Sequence, residues 1–279
     1  MLPSSQFIVP RLSLASCVRA IVVRNTLGCT LQPEQRLNRY PATPFPTIFL
    51  QLAGASGMAE PWDPDMVCPA GGVLLSGAQA HPTATSNPGP AHFMMVLFFP
   101  DALHRLTGLD MNAIVDQFLP LEGLLDGPWQ ALGARMVAAP DDAARVALLE
   151  EFLEPRWRAA RPGGAFDGVV GDWVHRLGAQ AAAAGIGRSA RMVERRIREW
   201  AGQPLRRLRR NYRAEQSFIA ARDAALKGKV SLGDVAQSGG YADQAHMSRE
   251  AREISGLSPG EILRRAQDDE TYWIYRIWS

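Results

Sequence analysis

Short apolar runs at 17–23, 47–52, 72–75 and 93–99 punctuate the first hundred residues. Between them lie the Pro- and Gly-laden stretches RYPATPFPT, EPWDPD and HPTATSNPGP. Runs of this length suit strands, and the breaks suit loops and sheet edges. From residue 101 to about 161 the apolar positions recur at helical spacing. Asp110 is placed to cap a helix over MNAIVDQF, and Pro140-Asp141-Asp142 opens an Ala/Leu-rich helix expected to end near Glu154. RPGGAFDG reads as a linker, and everything beyond it to Ala266 reads as helical.

The helical part repeats itself at an offset of 54 residues. Arg198-Glu199-Trp200-Ala201-Gly202 returns as Arg252-Glu253-Ile254-Ser255-Gly256, and Arg195 falls on Arg249. The apolar positions Val193, Ile197 and Trp200 match Met247, Ala251 and Ile254. In the first copy a short Ala-rich helix ends at Gly185-Ile186-Gly187, and Ser189 supplies an N-cap for the next one. At about 100° per residue Val193, Ile197 and Trp200 share one face, while Arg191, Glu194, Arg195 and Arg198 share the other. The second copy obeys the same geometry. Ser231 with Asp234 resembles a capping box, Gly239-Gly240 turns, and Asp243 caps a helix with Ala245, Ser248, Arg249 and Arg252 outward. Ser258-Pro259-Gly260-Glu261 opens a closing helix. A helix with an apolar back and an arginine front, entered through a tight turn, suits a DNA groove. The segment between the copies, PLRRLRRNYRAEQSFIAARDAALK, is in helical register; at 1.5 Å per residue it spans roughly 35 Å, about one turn of B-DNA.

Charge sharpens this reading. Residues 166–266 hold 18 Arg/Lys against 11 Asp/Glu, whereas residues 1–165 hold 11 against 14. One basic region on a mildly acidic remainder points to a polyanion as partner of that region alone.

The stretch GYADQAHMSREAREISGLSP resembles the signature of AraC/XylS-type transcription regulators, and the likeness extends over about 100 residues. The resemblance implies a tandem helix-turn-helix module on double-stranded DNA. It assigns base-facing roles to Arg191, Glu194 and Arg195 in the first unit, and to Gln244, Ala245, Ser248 and Arg249 in the second. Met247 and Ala251 stand where the family usually has phenylalanine, and Pro204 replaces a usual serine. The N-terminal part resembles the sensor regions attached to such modules, often small cupin-like β domains. Arg39-Tyr40-Pro41-Ala42 and Phe99-Pro100-Asp101-Ala102-Leu103 suggest one regulator subgroup, with no ligand residues to transfer.

Other chemistry finds little footing. His81, His92 and His104 lack the His-x-His and nearby Glu of a cupin metal site, so no metal or other cofactor is expected. His246 is read as a structural helix residue. Gly54-Ala55-Ser56-Gly57 lacks the spacing of a nucleophile elbow, and Gly71-Gly72 is followed by no Lys-Ser/Thr of a phosphate loop. A DNA-repair methyltransferase with a similar module needs an activated cysteine, yet none follows Cys68. A cupin-like enzyme with an appended DNA-binding module is the other alternative. Cys17, Cys29 and Cys68 are an odd, widely spaced set, which suits buried free thiols in a reducing compartment.

The expected protein is α+β and cytoplasmic, with neither secretory signal nor membrane span. Its parts are a β-rich sensor at 1–100, a helical sensor or dimerisation segment at 101–165, a tandem helix-turn-helix domain at 166–266 and an aromatic tail at 267–279. It is expected to be a regulator and not an enzyme. Its candidate partners are double-stranded DNA, a small-molecule effector, a second copy of the chain, and RNA polymerase if it activates. Tyr272, Trp273, Ile274, Tyr275, Ile277 and Trp278 crowd the tail, so it is expected to dock. The expected acceptor is a groove on 101–165 or on a second subunit, with packing near Ile262 as the local alternative.

Overall fold

The computed structural model describes residues 2–161, 173–183, 189–228 and 231–278. The N-terminal part is built on two antiparallel sheets. The larger has the order β1 (Ser4–Ile8), β2 (Val18–Asn25), β9 (His92–Phe98), β4 (Thr47–Ala53), β7 (Val73–Ser76) and β10 (Phe118–Pro120). The smaller has the order β3 (Leu37–Tyr40), β8 (Thr83–Ser86), β5 (Ala55–Glu60) and β6 (Asp63–Pro69). All four apolar runs of the sequence became strands, and all four lie in the larger sheet. The reason is burial on both faces: Ala20, Ile21 and Val22 of β2, and Phe93 and Met94 of β9, are enclosed. The smaller sheet hides in the segments read as breaks. Its edge strand β6 carries Pro64 and Pro69 and is largely exposed, which an edge tolerates because proline has no N–H to donate.

Beyond β9 the chain forms α1 (Pro100–Thr107), α2 (Gly127–Ala138) and α3 (Asp142–Ala160). Two expectations need correction here. Asp110 does cap, accepting from the Asn112 N–H at 2.9 Å, but it starts only a single 3-10 turn over Met111–Ile114. The chain then passes through Asp116, at a φ of 58°, and returns to the sheet as β10. Asp141 caps α3 through Ala144 N–H at 2.8 Å, yet α3 runs past Glu154 and through Pro155 to Ala160. Pro155 and Glu151 are both exposed, so the carbonyl left free by the proline faces water. Apart from Arg161, the RPGGAFDG linker lies outside the described residues, as does Gly185-Ile186-Gly187.

The remaining elements are helical: α4 (Trp173–Ala183), α5 (Ala190–Ala201), α6 (Leu205–Leu226), α7 (Leu232–Ser238), α8 (Gln244–Ser255) and α9 (Pro259–Asp268). The Ser258/Glu261 capping box at the start of α9 is formed. The tail docks, as its composition predicts, through a 3-10 turn at Glu270–Tyr272 and the short α10 (Trp273–Ile277). Its acceptor differs from the expected groove on 101–165. It sits on the β region, against β1, β3 and the turn Pro33–Arg36, while also touching α9. Trp273 is completely buried; its Nε1 donates to Asn38 Oδ1 at 2.9 Å, and Arg24 lies 5.0 Å from the centre of its ring. Arg24 also bonds Glu270 at 2.5 Å.

Candidate nucleic-acid interface

The two helix pairs α4–α5 and α7–α8 reproduce the sequence repeat in space. Both α5 and α8 are 12 residues long and begin and end 54 positions apart. Each stops at a left-handed glycine, Gly202 at φ 72° and Gly256 at φ 79°, where a side chain would strain the backbone. The Gly202 N–H donates to Arg198 O at 2.7 Å, and the Gly256 N–H to Arg252 O at 2.8 Å. Their starts differ. Ser189 has the extended N-cap backbone without a side-chain cap bond, whereas Asp243 accepts from His246 N–H at 2.6 Å. Ahead of α7, Ser231 Oγ accepts from Asp234 N–H at 3.3 Å.

The outer faces of α5 and α8 follow the helical period, while the inward Val193, Trp200 and Ala251 are only half-buried. On α5, Ile197 is buried while Arg191, Arg195 and Arg198 are exposed; Glu194 is half-buried and pairs with Arg198 at 3.6 Å. On α8, Met247 and Ile254 are buried, Gln244, Ala245, Arg249 and Arg252 are exposed, and Ser248 is half-buried. Five of the seven residues named from the sequence are thus exposed, and Glu194 and Ser248 only partly so. Between the units, α6 has 22 residues, or about 33 Å.

Sequence reasoning missed how α6 spends its arginines. Arg206 and Arg209 are exposed, but Arg207 donates to Ala80 O in the β region. Arg210 pairs with Glu253 and Arg213 with Glu250, so α6 grips the flank of α8. Arg213 also stands 4.5 Å from the Tyr241 ring centre. The signal was present: Arg210 and Arg213 are three apart, as are Glu250 and Glu253, which is one row on each helix. His246 is structural, with Nε2 at 3.4 Å from Glu250 and its ring edge-on to Tyr241.

Residues 182–265 match the family described as a helix-turn-helix domain. This segment is an AraC-type helix-turn-helix domain. It makes the chain a DNA-binding transcription regulator. No curated protein matches the chain. Among solved structures, an apo ToxT variant from Vibrio cholerae is 14% identical, covers 88% of this chain and 96% of its own, and has a TM-score of 0.43. ToxT from the same organism bound to an unsaturated fatty acid is 14% identical, with 81% and 94% covered and a TM-score of 0.39. The AraC-like transcriptional activator CuxR is 11% identical, with 94% and 99% covered and a TM-score of 0.28.

The C-terminal helices meet the β region at two places of different character. At the first unit, Trp173 of α4 packs between Phe45 and Phe99, with ring centres at 5.9 and 5.6 Å. Trp200 of α5 lies against Arg105 and His104 of α1. At the second unit, Ala42 N–H donates to Ile254 O at 2.7 Å, and beside that bond opens a cavity of about 200 Å³. Phe49, Leu74 and Met95 line it from the sheets, Phe218, Met247, Ala251 and Ile254 from α6 and α8, and Ile274, Tyr275 and Trp278 from the tail.

His92 is paired with Asp142 at 3.2 Å, and His104 Nδ1 lies 2.8 Å from Leu109 O. Among the described residues no group of three or more His, Cys, Asp and Glu is placed to hold a metal ion. No helix among them is long and apolar enough to cross a membrane.

Proposed function

We propose that the protein regulates transcription by laying α5 and α8 in successive major grooves on one face of a DNA duplex. The observation that carries this is the pair of equal helices, 54 residues apart, each with an exposed arginine face, joined by a helix of about 33 Å. One turn of B-DNA is roughly 34–36 Å, so the spacing fits two grooves. Arg191, Glu194 and Arg195 read the first groove and Gln244, Ala245, Ser248 and Arg249 the second, while Arg206 and Arg209 face the backbone phosphates. We assign residues 1–100 and 101–165 to sensing and self-association, 166–266 to DNA, and 267–279 to holding the two ends together. The N-terminal part answers to a small-molecule effector, to a second copy of the chain, or to both. It does no catalysis. RNA polymerase is the further partner if the protein activates, and the cytoplasm is its place of work.

The alternative of a thiol-based DNA-repair enzyme meets a contrary observation. Such a thiol needs a lowered pKa, but all three cysteines are buried, and burial pushes Cys17 up and Cys68 up to about 11.

Footprinting on fragments selected from a random DNA pool tests the two-groove reading. Protection should span two turns on one face, and affinity should fall steeply with salt as the arginines displace counterions. Arg195→Ala and Arg249→Ala should each cost about 1–3 kcal/mol where the arginine reads a base. Protection confined to a single groove, or full affinity in both variants, refutes it.

A further inference from the structure

The cavity beneath the second unit has a chemistry of its own. Among the described residues that line it, Glu215 is the only charged side chain, and it is already engaged. Arg19 bonds Glu215 Oε1 at 2.6 Å, and Trp278 Nε1 donates to the same oxygen at 2.9 Å. Among those residues no lysine, arginine or histidine lines the space, so an anionic guest would lose its hydration without a counter-charge. Four polar atoms of the described lining residues are buried without a hydrogen-bond partner: the hydroxyls of Tyr40, Ser217 and Tyr241, which can accept or donate, and one oxygen that can only accept. That oxygen is Oδ1 of Asn211, a residue on the α6 wall that is 5% exposed. A buried acceptor left unmet is destabilising, so a guest that donates to it removes that penalty. The volume of about 200 Å³ exceeds the roughly 150 Å³ apolar cavity known to admit benzene, which suits one ring with a short alkyl chain.

We propose that this cavity binds an uncharged, mainly apolar small molecule carrying one hydrogen-bond donor, and that the ligand acts on DNA binding through the second unit. The proposal rests on the reading of the chain as an effector-controlled regulator and names the effector's chemical class. The coupling is direct, because the inner face of the α8 recognition helix is itself a wall: Met247, Ala251 and Ile254 touch the space whose opposite side is the β sheet. A guest that wedges there shifts α8 relative to the β region, whereas α5 has no wall in the cavity.

The test uses the full chain and three matched probes at pH 7.5: 4-propylphenol, 4-propylanisole and 4-propylbenzoate. The phenol is neutral at this pH and donates, the anisole is neutral and cannot donate, and the benzoate is ionised. Titration calorimetry should rank them phenol, anisole, benzoate, with at least a tenfold gap between the first and last. Asn211→Leu should erase the advantage of phenol over anisole. Leu74→Trp, which fills the cavity from the sheet side and stands apart from the DNA face, should weaken phenol binding tenfold or more. Phenol should slow amide exchange in α7 and α8 and leave α5 unchanged. Benzoate binding as tightly as phenol, no binding by any probe, or protection centred on α5 overturns the proposal. Footprinting of the ligand-free protein is read separately: a lost footprint overturns the DNA-binding assignment, while an intact footprint with failed probe binding overturns this inference alone.

Discussion

The two helix-turn-helix units share a sequence pattern and differ in what encloses them. The first is continuous with the main core: Trp173, Leu177, Ile197 and Ala201 pack in one body with Phe45, Phe99 and Leu103. The second has a small core of its own, made of Ala221, Val235, Ala236, Tyr241 and Met247. Where the first meets the β region through Trp173 packed between Phe45 and Phe99, the second meets it across a cavity and through a backbone bond from Ala42 to Ile254. A repeat in sequence thus yields one outer helix, α5, built into the main core and another, α8, that borders a cavity. For a regulator this is a useful asymmetry, since local stability follows local burial and the less enclosed unit moves first.

Trp173→Ala should break the fixed joint and have the largest effect. Phe45 and Phe99 would lose a fully buried neighbour, at about 3–5 kcal/mol, and unfolding of the β region and the first unit should shift together in urea. If only α4 and α5 loosen while the sheets keep their amide protection, the two do not share one core.

Trp273→Ala tests the tail in the same range, about 3–5 kcal/mol, because the indole is fully enclosed. Its loss also strands Asn38 Oδ1 and removes the ring beside Arg24. Trp273→Phe should recover most of the packing and little of the hydrogen bond. An unchanged melting temperature in the alanine variant would show that the tail is not a structural clasp.

Met247→Ala should cost somewhat less, about 2–4 kcal/mol, and the damage should stay local. Amide exchange should quicken in α7 and α8 while α4, α5 and the larger sheet keep their protection. Quickened exchange throughout the chain would erase the contrast between the units.

Much of this contrast was legible in the sequence, and the illegible part has identifiable causes. The 54-residue repeat, the caps at Asp243 and Ser258 and the outward arginines are local features, set by side chains within a turn of the backbone they bond. The four inner strands of the larger sheet were legible because double-sided burial demands unbroken apolar runs, whereas its edges β1 and β10 were not. The strands of the smaller sheet were not legible either, since Thr83–Ser86 is short and polar and Asp63–Pro69 contains two prolines. MNAIVDQF failed as a helix because pairing of β10 with β7 outweighs its helical period. The outer residues of α5 and α8 were assigned to DNA by periodicity and resemblance. The ion pairs of Arg210 and Arg213 were missed because net charge does not show which arginines are already neutralised. The cavity joins residues more than a hundred positions apart, and no local pattern announces it.

The smallest expected effect sits at the fixed joint. Asp101 begins α1 and is buried, with one carboxylate oxygen unpartnered. Burial pushes its pKa above the ordinary carboxylate value, while Arg176 of α4, Arg105 of α1 and the backbone N–H groups at the helix start pull the other way. A carboxyl with a raised folded-state pKa binds its proton more tightly folded than unfolded. Its favourable contribution is therefore complete below the unfolded value of about 3.9 and is lost as pH rises through the raised folded value. Asp101→Asn removes that titration. The variant should be at least as stable as the parent at pH 7.5, and the difference between them should shrink toward pH 4. Urea unfolding across this range reads the difference directly. A less stable variant at pH 7.5 would mean that the pull of Arg105 and Arg176 outweighs burial, and that α1 and α4 are held together by charge as well as by Trp173.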